Sequence, residues 1–170
     1  MSTNLPKYLF FFGVAGVGKT YSGEALSEQL GIPSYDLDQD MTPAMRSAIS
    51  EGRPFTDAIR DEFFEVVCER IAAMKQKHER CVFMQGAYRQ KHRDLVTQRH
   101  ADVVFVLVDA PEDLVAARLH GRGNTVSREY AETLRRSFEP PPTSTPVLLN
   151  DSCSRSELVQ RCNGLFSANL

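Results

Sequence analysis

Between Gly13 and Thr20 the chain reads GVAGVGKT, with Gly13, Gly16 and Gly18 leading into Lys19 and Thr20. The spacing fits G-x-x-x-x-G-K-[ST], and the residue types suit one task. Glycines let a loop turn its backbone N–H groups inward around a phosphate, and the start of the following helix adds a positive dipole. Lysine reaches the β- and γ-phosphates, and the threonine hydroxyl holds Mg²⁺. The nucleotide-binding residues read from this stretch are Gly13, Val14, Ala15, Gly16, Val17, Gly18, Lys19, Thr20 and Tyr21. No N-K-x-D guanine signature occurs, which favours ATP over GTP.

A phosphate cradle alone does not separate a kinase from a switch or a motor. An acidic cluster, SYDLDQD, adds Asp36, Asp38 and Asp40. Phosphoryl transfer needs a metal partner and a carboxylate that orients the attacking hydroxyl or accepts its proton. Asp36 is assigned to Mg²⁺ together with Thr20, and Asp38 to the acceptor hydroxyl. Both are expected to alternate at the end of a strand and to face the crevice at the carboxyl edge of a sheet.

The elements that must position these residues are strands alternating with helices. Strand-like runs are YLFFF from Tyr8, CVFMQ from Cys81, DVVFVLVD from Asp102 and PVLLND from Pro146, with IPSYDLD from Ile32 a weaker fifth. The middle three are continuous rather than alternating, as expected of strands covered on both faces. Thr42 with Pro43, Thr56, and Ser154 with Glu157 carry helix-start signals, and Gly31 and Gly52 carry stop signals. The alternation predicts an α/β fold of three layers, a P-loop NTPase fold with a five-stranded parallel sheet flanked by helices. Residues 1–170 are expected to form one domain.

Two regions break the pattern. HGRGNTVSREY holds two glycines and two arginines and is expected to be a mobile, cationic lid over about 119–130. SFEPPPTSTP has four prolines and is expected to be a stiff surface connection.

The order GVAGVGKT, YDLDQD, GRPFTDAIRDEF, QGAYRQKHRDL, VFVLVDAPEDLVAARLHGR resembles the gluconokinase family over most of the chain, within the small P-loop metabolite kinases that also hold shikimate kinases. The family's third stretch reads G-x-P-L-x-D-x-D-R-x-x-W and its fourth S-A-L-K-x-x-Y-R-D, so Gly52, Pro54, Asp57, Arg60, Ala87, Arg93 and Asp94 match. The segment GNTV from Gly123 is similar to the lid of shikimate kinases. The chain departs from the family pattern at Met41, where the family has histidine, at Ile59, where it has an acidic residue, and at Phe63, where it has tryptophan.

The resemblance implies an ATP- and Mg²⁺-dependent kinase acting on a hydroxyl of a small sugar acid such as gluconate by direct in-line transfer. Lys19, Asp38 and Arg122 would be catalytic. The acceptor would be held by Asp38 and Arg60, with Gly86 and Arg89 as further contacts. Arg118 would meet the nucleotide and Arg122 the phosphates, with Arg128 a substitute for Arg122. Two alternatives remain open: a kinase of shikimate or another hydroxy acid, and a nucleotide-binding regulatory protein without transferase activity.

Composition narrows the classes further. With 20 Lys+Arg against 22 Asp+Glu there is no global field to draw nucleic acid or an anionic membrane. No segment has the ~18 apolar residues that a spanning helix needs. Four cysteines without C-x-x-C spacing point to a reduced, cytoplasmic setting. The partner expected is a small polar acceptor, with a homodimer left open. His78, His92, His100 and His120 show no metal-ligand spacing and are expected at the surface or in the lid.

Overall fold

The computed structural model describes residues 4–121, 132–133 and 135–167. Five strands, β1 (Tyr8–Phe12), β2 (Ser34–Asp36), β3 (Cys81–Met84), β4 (Val103–Asp109) and β5 (Val147–Leu149), form one sheet in the order β2-β3-β1-β4-β5. Every pairing is parallel. The described helices are α1 (Lys19–Leu30), α2 (Pro43–Ser50), α3 (Asp57–Lys77), α4 (Gln90–Arg99), α5 (Glu112–Gly121) and α6 (Arg155–Leu165), with a 3-10 turn at Leu37–Asp40.

Alternation along β1 sorts the two cores. Leu9 and Phe11 enter a cluster with Ala25 and Leu26 of α1, Val115 of α5 and Leu158 of α6. Tyr8, Phe10 and Phe12 enter another with Met45 of α2, Phe63, Phe64, Val67 and Ile71 of α3, and Val96 of α4. All five β1 residues are buried, so the central strand is covered on both sides, as its unbroken apolar run requires. Each side chain buried in this way contributes about 1.5–3 kcal/mol.

The helix starts follow from their caps. Thr42 Oγ1 accepts from the Met45 N–H and Thr56 Oγ1 from the Ile59 N–H, both at 3.2 Å, and Ser154 Oγ caps Glu157 in the same way. Gly31, in the left-handed region at φ 64°, closes α1. α4 begins differently: its N-cap, Arg89, makes no side-chain capping bond, and the Gln90 N–H donates instead to the Glu139 carboxylate at 2.6 Å.

Glu139 belongs to the proline-rich connection, which is therefore more than a surface strap. Phe138 stacks near Phe12 and meets the Tyr88 ring edge-on. The buried Arg93 guanidinium donates to the carbonyls of Ala87 at 2.7 Å and Glu139 at 2.6 Å. The turn after β3 is thus clamped from behind.

Candidate active site

The loop between β1 and α1 lies at the carboxyl edge of the central strand, beside β3 and β4. Gly13, Gly16 and Gly18 have φ of 147°, 89° and 91°, values that side-chain-bearing residues rarely adopt. Space is as restrictive as conformation. A Cβ on Gly13 would stand 2.5 Å from the Val108 carbonyl oxygen, and one on Gly18 would stand 2.1 Å from Asn150 Nδ2. The first bond of α1 runs from the Ser22 N–H to the Gly18 carbonyl at 3.0 Å. The N–H groups of Lys19, Thr20 and Tyr21 precede it and belong to the positive end of the helix.

The loop is braced from outside. Asn150 Nδ2 donates to the Val17 carbonyl at 3.0 Å, and Arg118 Nη1 donates to the carbonyls of Gly16 and Val17, both at 3.2 Å. Arg118 Nη2 reaches the Asn150 carbonyl at 3.3 Å. Lys19 Nζ bonds the carbonyls of Gly13 and Val14 at 2.9 and 3.0 Å. The ammonium therefore lies over the mouth of the loop it is meant to serve. Thr20 is exposed at the first turn. The Tyr21 side chain turns toward the far end of the sheet: its hydroxyl bonds the Cys153 carbonyl at 3.3 Å and its ring lies under Arg155.

The acidic stretch departs from the strand alternation expected of it. β2 ends at Asp36, and Asp38 sits in the 3-10 turn, where its N–H donates to Asp36 Oδ1 at 3.0 Å. The aspartate side chain caps the turn because short carboxylates bond the backbone two residues on. Asp40 is removed from the group: Arg70 grips both its oxygens at 2.8 Å. Asp38 is exposed by its surface area and lines a cavity, with only its carboxyl partly withdrawn from water by the groups around it. That burial pushes its pKa above the ordinary value, and the Asp36 charge adds to the effect, against the pull of Lys19 and Gln85.

The turn after β3 meets the phosphate loop in two places. The Gly13 N–H donates to the Gly86 carbonyl at 3.3 Å, and the Ala15 N–H donates to the Tyr88 hydroxyl at 3.0 Å. Ala87 between them has a φ of 44°, a costly conformation for a residue with a side chain. The missing side chain of Gly86 makes room for the Tyr88 ring, which would lie 2.6 Å from a Cβ there.

One cavity gathers Lys19, Asp38, Arg60, Gln85, Gly86, Tyr88 and His92. Lys19, Asp38, Arg60 and Gly86, read from separate stretches of sequence, are thus brought together. Arg89 is not among the lining residues; it pairs with Glu139 at 3.1 Å and Asp57 at 3.6 Å. Arg122 and Arg128, with most of the expected lid, lie outside the described residues.

Three residues near the site were missed by sequence reading. Tyr88 carried no motif signal. Asn150 closes a strand-like run, and polarity at that place was the available hint. His92, expected at the surface, is only 3% exposed. Its Nε2 lies 2.7 Å from Asp61 Oδ1 and its ring stacks on Phe64 with centroids 4.4 Å apart. Burial holds its pKa below the usual value, with Asp61 opposing. Its position four residues after Tyr88 on the inner face of α4 was the missing information.

Comparison with known proteins bears on the family and the fold. Residues 9–141 match the AAA domain family. A gluconokinase of Gluconobacter oxydans is 25% identical over 144 residues, covering 84% of this chain and 81% of that one. The crystal structure of a gluconokinase from Sinorhizobium meliloti superposes with a TM-score of 0.79 at 26% identity, covering 95% of this chain and 92% of that one. A shikimate kinase from Acinetobacter baumannii shares the fold, with a TM-score of 0.65 at 18% identity over 97% and 94% of the two chains. The chain belongs to the AAA domain family, and within it is a P-loop kinase similar to the gluconokinases and shikimate kinases.

Proposed function

We propose that the protein transfers the γ-phosphoryl group of ATP to a hydroxyl of a small hydroxy acid by direct in-line displacement. The observation that carries this reading is the meeting of Lys19, Asp38 and Arg60 in one cavity beside the phosphate loop. Lys19 would neutralise charge on the transferring group, and Asp38 would orient the acceptor hydroxyl and take its proton. The raised pKa of Asp38 brings it closer to the value a general base requires. Arg60 would bind the acceptor's carboxylate. Arg118 would meet the nucleotide while bracing the loop.

The residues present fit ATP and Mg²⁺. The cradle has no room for a Cβ at Gly13 or Gly18, and the described residues contain no cluster of three or more His, Cys, Asp or Glu that could hold a metal on its own. Magnesium bound through nucleotide phosphates needs only one or two protein oxygens, here those of Thr20 and Asp36. Bound there, the ion would neutralise phosphate charge.

Gluconate, named in the relatives, is the first acceptor to test. ADP release is measured with ATP and Mg²⁺ against gluconate, other aldonates, shikimate and simple hydroxy acids, with Asp38→Asn as control. Acceptor-dependent release that disappears in the variant is the expected result. Tight ATP binding with no acceptor-dependent release across the panel would sink the kinase reading in favour of a regulatory nucleotide-binding protein.

A further inference from the structure

The walls of the acceptor cavity are mostly apolar. Met41, Met45, Phe55, Phe63 and Phe64 line it, and much of its polar lining is already bonded to protein. Gln85 Oε1 accepts from the Ala87 N–H, and its amide nitrogen lies 3.5 Å from Asp38 Oδ1. His92 is engaged by Asp61 and presents a ring face to Phe64. The Tyr88 hydroxyl holds the Ala15 N–H.

Arg60 stands apart from these. Its Nε is buried without a hydrogen-bond partner among the described residues. The cavity is thus lined by the acid–base pair Asp38 and Lys19, by the Arg60 cation, and by methionine and phenylalanine.

Resting on the kinase reading above, we infer that the acceptor is a hydroxy acid with a mostly apolar carbon body, its hydroxyl at Asp38 and its carboxylate at Arg60. A polyhydroxylated sugar acid would surrender the hydration of each intervening hydroxyl and receive few partners in return, which is unfavourable. Methylene or ring carbons in the same place gain from leaving water. The Arg60 guanidinium, with no hydrogen bond or ion pair among the described residues, gains a charge-assisted partner from the carboxylate.

The test compares gluconate with 6-hydroxyhexanoate, which has the same chain length and the same terminal groups without the intervening hydroxyls. The kcat/KM is expected to be at least about tenfold higher for 6-hydroxyhexanoate, the scale on which apolar pockets discriminate. Arg60→Gln should raise KM for 6-hydroxyhexanoate at least about tenfold and raise KM for hexane-1,6-diol by a smaller factor; an equal rise for both overturns the carboxylate's place at Arg60. Equal or better use of gluconate overturns the inference and leaves the kinase reading standing.

The same ranking is read by calorimetry on the protein loaded with a non-hydrolysable ATP analogue, so that loss of turnover does not hide the answer. Tighter binding of 6-hydroxyhexanoate without any turnover retains the acceptor class and overturns the kinase reading. Failure of both acids to bind overturns the acceptor class.

Discussion

The Tyr88 hydroxyl accepts a hydrogen bond from the Ala15 backbone N–H at 3.0 Å, joining the turn after β3 to the middle of the phosphate loop. Tyr88 also lines the cavity proposed for the acceptor, so the proposed nucleotide and acceptor sides share this contact. Tyr88→Phe removes the bond and keeps the ring against Phe138. A neutral hydrogen bond contributes about 0.5–1.5 kcal/mol net, so a loop that relies on it should bind ATP about 2- to 10-fold more weakly. Calorimetric titration with ATP and Mg²⁺ checks this. Unchanged or tighter binding would mean that the hydroxyl competes with phosphate rather than shaping the cradle.

The phosphate loop was legible in the sequence because its chemistry is carried by the backbone of consecutive residues, and the glycine spacing declares it. The helix starts at Thr42, Thr56 and Ser154 were legible for the same reason: each cap lies within three residues of its partner. The acidic stretch was read as alternation on a strand, yet the chain turns after Asp36 because that carboxylate bonds the Asp38 N–H. Asp40 was indistinguishable from its neighbours until Arg70, thirty residues away, was seen to hold it. Arg89 looked like an acceptor contact, but Glu139 claims it from fifty residues away. Pairings over such separations leave no mark on local spacing.

Asn150 braces the phosphate loop from the end of β5. It is 1% exposed and its side chain donates to the Val17 carbonyl at 3.0 Å. Asn150→Ala removes that bond while the carbonyl keeps Arg118 Nη1 at 3.2 Å, a loss of about 0.5–1.5 kcal/mol for one hydrogen bond. For a chain of this size each kcal/mol lowers Tm by about 2–4 °C, so a fall of about 1–6 °C is expected by differential scanning calorimetry. ATP binding should weaken in parallel. A variant with wild-type Tm and weakened ATP binding would place Asn150 at the nucleotide rather than at the loop's support.

In the proposed mechanism Asp38 trades stability for reactivity. Its folded pKa is raised above the ordinary 3.8, so the folded state favours the protonated form more than the unfolded state does. The contribution to stability is then fully present below about pH 3.8 and lost as pH rises through the folded pKa. Asp38→Asn removes the charge that burial and Asp36 disfavour. The variant should lose phosphoryl transfer yet melt above wild type at neutral pH, with the gap closing as pH falls toward 4. Thermal melts across that range decide it. A variant that melts below wild type at pH 7 would show that Asp38 is stabilised by Lys19 more than it is burdened by Asp36 and burial.

His92 has the opposite sign of dependence. Burial lowers its folded pKa from 6.5, and Asp61 opposes that shift without cancelling it. The neutral ring is favoured in the folded state, so the contribution to stability is present above about pH 6.5 and lost as pH falls through the folded pKa. Wild-type Tm should therefore decline between pH 7.5 and 5.5. In His92→Phe the contact with Phe64 is kept, and Asp61 retains Lys91 at 2.7 Å, so this part of the decline should vanish. Because His92 lines the cavity near Arg60, its protonation also adds a second positive charge beside the proposed carboxylate site. KM for an acidic acceptor should then fall as pH drops below 6.5 through the folded-state pKa of His92 in wild type, and stay level in His92→Phe. Parallel curves for the two proteins would assign the titration to another group.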